Sequence, residues 1–248
     1  MDWTEMKTTC VSWFSSGVSS AVASWLERDR IDRNIYIDIE DQHPDSIRFL
    51  KDVEQWIGKP IEIIKHPLGS VEAACKYRQF INGPKGASCT KMLKRDMRKQ
   101  WELESQYFNW FRYVWGFDKN EQDRADDRVE EMPNHEHVFP LIEHGISKKE
   151  AHAILERAGI KRPVMYDLGF GNNNCVGCVK GGKGYWNQIR IHFPEVFAAR
   201  SRMEREIGAS CINGTYLDEL DPKAGRNEKP IAPECGAACS MIEKKGTK

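Results

Sequence analysis

The sequence predicts an α/β protein with a doubly wound, mostly parallel sheet and a cysteine-bearing C-terminal region. Two observations carry this. Apolar, β-prone runs alternate with amphipathic helical patterns over the first 145 of the 248 residues. Near the start, the apolar run Cys10-Val11-Ser12-Trp13-Phe14 stops at Ser15-Ser16-Gly17, and an alanine-rich helical pattern follows at once. Alternation of this kind implies parallel strands covered on both faces.

The elements are expected in this order. Residues 9–14 form the first strand and 19–28 its helix. Asn-Ile-Tyr-Ile-Asp-Ile at 34–39 is the second strand. Asp45 caps a helix that runs to about Trp56, and Gly58-Lys59-Pro60 ends it. Residues 61–64, 112–115 and 137–142 supply three more strands. Ser147 and Glu150 have capping-box spacing ahead of a short helix closed by Gly159. Beyond Pro163, Gly, Asn and Cys dominate up to Gly184. One helix follows, with Pro194 in its first turn and Gly208 past its end. The chain from about Ala209 reads as loop. Residues 1–145 are therefore expected to form a nucleotide-type core, with 146–248 packed on it as a helical, cysteine-bearing region.

Formal net charge is zero, so nothing global demands a nucleic acid or an anionic membrane. No apolar run approaches the ~20 residues a membrane span needs. Met1-Asp2-Trp3-Thr4-Glu5-Met6 lacks the basic and apolar regions of a secretory signal, so the expected compartment is the cytoplasm. A homo-oligomer is compatible with the composition. Eight cysteines are many for a reducing compartment, where their usual roles are burial, ligation or catalysis. Cys10 lies in a strand pattern and Cys75 in a helical one, so both are expected to be buried thiols.

The 15–20 loop has the chemistry of an anion cradle. Small side chains at Ser15, Ser16, Gly17, Ser19 and Ser20 let the backbone approach a phosphate or sulfate, and the following helix places partial positive charge there. The competing reading is an ordinary strand-to-helix turn, which favours the same residues. No Gly-Lys-Ser/Thr follows, so the loop is not a Walker A motif. In a parallel sheet ligands bind at the carboxyl ends of the strands. Asp38 falls at that edge and could meet a ribose, an adenine edge or Mg²⁺. Lys91, Lys94, Arg95, Arg98 and Lys99 form a basic cluster, and at helical spacing several share a face that could bind phosphates or simply be solvated.

Cys175-Val176-Gly177-Cys178, set among Gly171, Gly181, Gly182 and three asparagines, can chelate a metal or cluster. A redox pair and a structural zinc site are the alternatives. Cys89, Cys211 and the pair Cys235 and Cys239 offer further thiols.

These features, in this order, resemble the adenine nucleotide alpha hydrolase (PP-loop) superfamily, and within it the PAPS reductase-like proteins of phages and bacteria. The PP-loop pattern is roughly Ser-Gly-Gly-x-Asp-Ser. Ser15, Gly17 and Ser20 match it, while Ser16 replaces a Gly and Ser19 an Asp, as in the Ser-rich loops of the PAPS reductase branch. Cys89-Thr90-Lys91-Met92-Leu93-Lys94 resembles the Cys-Thr-x-x-Leu-Lys motif of that group, which includes DNA phosphorothioation enzymes. Gly116-Phe117-Asp118, Glu121 and Arg124 resemble the segment after the fourth strand. Pro233-Glu234-Cys235-Gly236 resembles the tail on which PAPS reductases carry a nucleophilic Cys.

The resemblance implies a Rossmann-like, PP-loop type fold. It implies an adenine nucleotide (ATP or a sulfonucleotide) held by the loop, with Lys91, Lys94 and Arg124 near phosphates and Mg²⁺ as a further cofactor. It also implies an iron–sulfur cluster of the 4Fe–4S kind drawing ligands from Cys89, Cys175, Cys178, Cys235 and Cys239, with zinc as the alternative metal. Cys235 is either a nucleophile or a ligand. The expected activity is ATP-dependent sulfur transfer or adenylation, with a nucleic acid or nucleobase among the acceptors. The alternatives are a sulfonucleotide reductase using Cys235, and a non-catalytic, zinc-stabilised module that binds nucleotide or nucleic acid.

Overall fold

The computed structural model describes residues 8–84, 86–105, 110–226 and 230–234. Along the chain, β1 (Thr9–Phe14) leads to α1 (Val18–Leu26), then β2 (Arg33–Asp38), α2 (Asp45–Ile57), β3 (Ile61–Lys65) and α3 (Val71–Arg78). A small hairpin, β4 (Asn82–Gly83) and β5 (Gly86–Ala87), precedes a π-helical stretch, Thr90–Asp96, that runs into α4 (Met97–Glu104). Next come β6 (Phe111–Val114), α5 (Gln122–Glu131) and β7 (Glu136–Val138). The helices α6 (Pro140–Glu143), α7 (Lys148–Arg157), α8 (Val164–Asp167), α9 (Lys183–His192) and α10 (Pro194–Ile207) follow.

Five strands form one sheet in the order β3-β2-β1-β6-β7, and every neighbouring pair is parallel. The chain winds outward from β1 to β3, then returns to the other side of β1. The winding direction therefore reverses between β1 and β6, and a crevice is expected beyond their carboxyl ends. Side chains alternate between two covered faces. Cys10, Phe14, Tyr36 and Val114 pack with α1, α2 and α7. Val11, Ile35, Phe111 and Tyr113 pack with Trp101 of α4 and with Met132. A third apolar cluster joins Ile39, Cys75 and Leu93 to Phe170, Cys175, Trp186 and Met203. Among the described residues no helix is long and apolar enough to cross a membrane.

Three expectations change. The fifth strand ends at Val138 rather than 142, because Pro140 has no N–H for a ladder and opens α6. Two helices, not one, follow the cysteine turn. The first, α9, starts behind Gly182, which caps it without a side chain and so leaves no N-cap signal in the sequence. Asp45 does not cap α2 but occupies its first turn behind Pro44. Its carboxylate instead accepts from Arg48 at 2.8 Å and from the Val164 N–H at 2.9 Å. The capping box forms as expected, with Glu150 N–H to Ser147 Oγ at 3.2 Å and Ser147 N–H to Glu150 at 2.8 Å.

The Arg48 guanidinium, then the Val164 amide, hold the Asp45 carboxyl below its ordinary value of 3.8. A depressed acid stabilises the fold fully above its unfolded value, and the gain is lost as pH falls through the folded one. Thermal melts between pH 6 and 3 should therefore show a loss of stability beginning near pH 3.8. The loss should be shallower in Asp45→Asn; equal slopes in the two proteins would remove Asp45 from the acid limb.

Candidate anion loop and cysteine cavity

β1 ends at Phe14, and the chain turns sharply through Ser16, which has φ +57°. That region is uncommon for a residue with a side chain. Ser16 is fully buried, and its bonds hold it there. Its Oγ donates to Ser46 O at 3.1 Å, and its carbonyl accepts from Asn173 Nδ2 at 2.7 Å. Ser20 closes the loop by accepting from the Ser15 N–H at 3.2 Å and donating to Gly17 O at 2.8 Å. The first amides of a helix have no intrahelical acceptor, and those of Ser19 and Ser20 stand in the first turn of α1. The Val18 N–H donates to the Tyr166 hydroxyl at 3.3 Å.

Gly17 has φ −100°, a conformation open to any residue, and a Cβ there would meet Ser15 Oγ and Tyr166 Oη at an ordinary 3.5 Å. The stricter glycine is Gly116, in the loop after β6. A Cβ on it would stand 2.5 Å from both N and Cα of Ser20. The β6 loop thus lies directly on the first turn of α1.

Asp38, at the carboxyl end of β2, is paired with Lys65 at 2.6 Å. Arg124 of α5 pairs with Glu121 and stacks on Phe117 with its guanidinium 4.6 Å from the ring centre. Asp38 thus sits at the carboxyl end of a strand next to β1, and Arg124 stands over Phe117 in the stretch between β6 and α5. Lys91 is exposed on the π-helical stretch, and Lys94 borders the cysteines instead of the loop. The expected continuous basic face does not assemble. The π-helical stretch breaks the α spacing, Arg98 turns inward to Glu102 at 3.4 Å, and Arg95 pairs with Glu131 at 3.6 Å.

Cys89, Cys175 and Cys178 line one cavity of about 40 Å³, with Lys94 and Lys180 at its rim. Burial pushes the Cys89 thiol up and the Cys175 thiol up to about 12, with Lys94 opposing both. Among the described residues no group of three or more His, Cys, Asp and Glu side chains is set to hold a single metal ion. Cys10, Cys75 and Cys211 are buried thiols away from this cavity's lining; burial raises the first two to about 11 and about 12. Cys235 and Cys239 lie outside the described residues.

The cysteine turn is fastened from three sides. The Tyr185 hydroxyl accepts from the Cys178 N–H at 2.8 Å and donates to Cys175 O at 3.0 Å. The Val176 N–H donates to Asp41 O at 2.7 Å. Gly177 has φ +73°, and a Cβ there would stand 2.6 Å from Val196, so the turn lies flat on α10. From α10, Arg200 donates to Gly177 O at 3.3 Å and pairs with Asp41 and with Glu72; it is only 3 % exposed. Sequence reading found neither Asp41, Tyr166, Asn173, Tyr185 nor Arg200 as part of the site. Their partners are distant in the chain, and no local spacing marks them.

No protein-family model matches the chain, and no curated protein matches it.

Proposed function

We propose that the 15–20 loop binds the phosphates of an adenine nucleotide and that the chain is a PP-loop, PAPS reductase-like enzyme of ATP-dependent sulfur transfer or adenylation. One observation carries this reading. The loop lies where the sheet reverses its winding, and a three-cysteine cavity begins one residue away from the loop's own hydrogen-bonding partner, Asn173. In this reading nucleotide activation and thiol chemistry would take place side by side.

In this reading the Ser19 and Ser20 amides and the α1 dipole take up phosphate charge. Arg124 reaches a phosphate, and Asp38 a ribose hydroxyl or Mg²⁺. An acceptor oxygen, on a nucleic acid or nucleobase, attacks the α-phosphorus, and pyrophosphate leaves against the loop amides.

Cys89, Cys175 and Cys178 would hold an iron–sulfur cluster, completed by Cys235 or Cys239. The donor set fits, since three thiols share one cavity that the exposed Lys94 and Lys180 also line. In a cluster each thiolate binds its own iron, whereas zinc needs its ligands to meet one ion at ~2.3 Å. When bound, the cluster supplies a redox-active, sulfur-binding centre. Burial raises the Cys89 and Cys175 thiols, and Lys94 offsets part of that rise toward the thiolate forms that ligation requires.

Sulfonucleotide reduction is the second reading, and in it the residue before Cys235 is held at α7. The Glu234 N–H donates to Lys149 O at 3.3 Å and its carboxylate pairs with Lys149 at 2.9 Å, beside Lys148, which holds Asn172 at 2.7 Å. A Cys235 thiolate would attack the sulfonyl sulfur and expel the nucleotide. Fast iodoacetamide labelling of Cys235 in metal-loaded protein, with metal retained in Cys235→Ser, would select this reading. Protection and metal loss would select ligation.

Gly17→Val tests the loop. A Cβ at Gly17 meets only ordinary contacts, and the branched side chain would crowd a phosphate, so ATP and sulfonucleotide binding should fall at least about tenfold, a loss of ~1.4 kcal/mol, in protein whose melting curve shows it folded. Unchanged binding by calorimetry would remove the loop from the site.

A further inference from the structure

We infer that Asn173 is a positioning residue shared by both sites, and that it couples occupancy of the anion loop to the cysteine turn. This rests on the anion-binding reading above.

Asn173 is buried, and its Nδ2 reaches Ser16 O at 2.7 Å, Ser16 Oγ at 3.4 Å and Ser46 Oγ at 3.0 Å. It therefore holds the left-handed residue that shapes the loop. Its Oδ1 is buried with no partner, an arrangement that normally costs stability. The donor side of the amide is the side the fold uses.

The backbone of Asn173 lies at the same place. The Tyr166 hydroxyl accepts from the Val18 N–H of the loop, with the Asn173 backbone amide beside it. Asn174 and Cys175, the next two residues, line the cysteine cavity, and the Val176 and Cys178 amides fix the turn to Asp41 and Tyr185. Two residues of chain span at most ~7 Å. The Val18 bond to Tyr166, at 3.3 Å, is long enough for an anion to compete for the amide. An anion that draws on Val18 releases the donor on the Tyr166 oxygen, beside which the Asn173 backbone amide lies. By linkage, a change in the turn must alter anion affinity by the same factor.

The test is hydrogen exchange of the full chain, purified anaerobically, with inorganic pyrophosphate as the probe and calorimetry alongside. In the wild type, saturating pyrophosphate should change exchange of the Val176 and Cys178 amides by at least about fivefold. Asn173→Asp keeps the shape and loses the donors. It should bind pyrophosphate more weakly, because the loop loses that support, and at saturation the response should fall below about twofold. Asn172→Ala, which touches Lys148 instead, should respond as wild type.

Should Asn173→Asp fail to fold, Tyr166→Phe removes only the hydroxyl oxygen and should lose the same response. Pyrophosphate binding with no response in the wild type would overturn the coupling and leave the loop reading intact. A full response in Asn173→Asp, or in Tyr166→Phe, would remove the strap as the link. No pyrophosphate binding at all would overturn both readings, and calorimetry alone would show it.

Discussion

Replacing Arg200 by alanine is expected to cost about 3–5 kcal/mol, the range for removing one partner of a buried ion pair. For a chain of this size that is a fall in melting temperature on the order of 10 °C. The physical reason lies in what remains. The Asp41 carboxylate, whose other oxygen accepts from the Val71 N–H at 2.6 Å, keeps its charge without its cation. The Gly177 carbonyl loses its donor, and the cysteine turn loses its hold on α10. Arg200→Lys keeps the charge but has no planar fork to serve Asp41, Glu72 and Gly177 together, so its loss should be intermediate. The double variant Asp41→Asn with Arg200→Met should recover much of the loss, because neither charge is then stranded. Thermal and urea unfolding measure all three. A loss under ~1 kcal/mol in Arg200→Ala would place the site among exposed pairs and remove Arg200 as the clamp.

Gly116→Ala is expected to damage the anion loop more than any substitution within the loop. The new Cβ would stand 2.5 Å from the Ser20 backbone and 2.9 Å from Ser19 C. Backbone cannot turn aside as a flexible side chain does, so the β6 loop and the first turn of α1 must separate. Overpacking of this kind costs ~1–3 kcal/mol. It also moves the Ser19 and Ser20 amides by a good fraction of an ångström, which should abolish measurable ATP binding in calorimetry. Retained wild-type affinity in a folded Gly116→Ala protein would show that those amides do not hold the ligand.

How much of this was legible beforehand follows from the range of each interaction. β1 was read residue for residue, because its apolar run ends at a Ser/Gly loop, and β2, β3 and β6 were read to within one residue at each end. The fifth strand was overextended because Phe139, Leu141 and Ile142 continue an apolar run, while Pro140 starts a helix. The order of the strands has no local signature, although alternation implied that they would be parallel.

The site divides in the same way. The Ser-rich loop and the Cys-x-x-Cys turn are local patterns, and Cys89 was found by its own short motif. The clamps were invisible. Asn173 acts on a residue 157 positions earlier and Arg200 on one 159 earlier. The basic cluster misled for a different reason. An α period was assumed where the helix is π-helical, so the expected face of Lys91, Lys94, Arg95 and Arg98 is dispersed among a cavity rim, two carboxylates and solvent.

The proposed thiolate centre is that of Cys89, Cys175 and Cys178, which line one cavity beside the 15–20 loop's partner Asn173. Iron, acid-labile sulfide and zinc analysis of anaerobically purified wild type and the double variant Cys175→Ser/Cys178→Ser tests it most directly. The wild type should contain iron and sulfide and absorb near about 400 nm, as iron–sulfur proteins do. The double variant should lose both and melt at a lower temperature, because ligation energy is also folding energy. Wild-type protein without iron and sulfide, or a double variant with unchanged metal content and melting temperature, would contradict it.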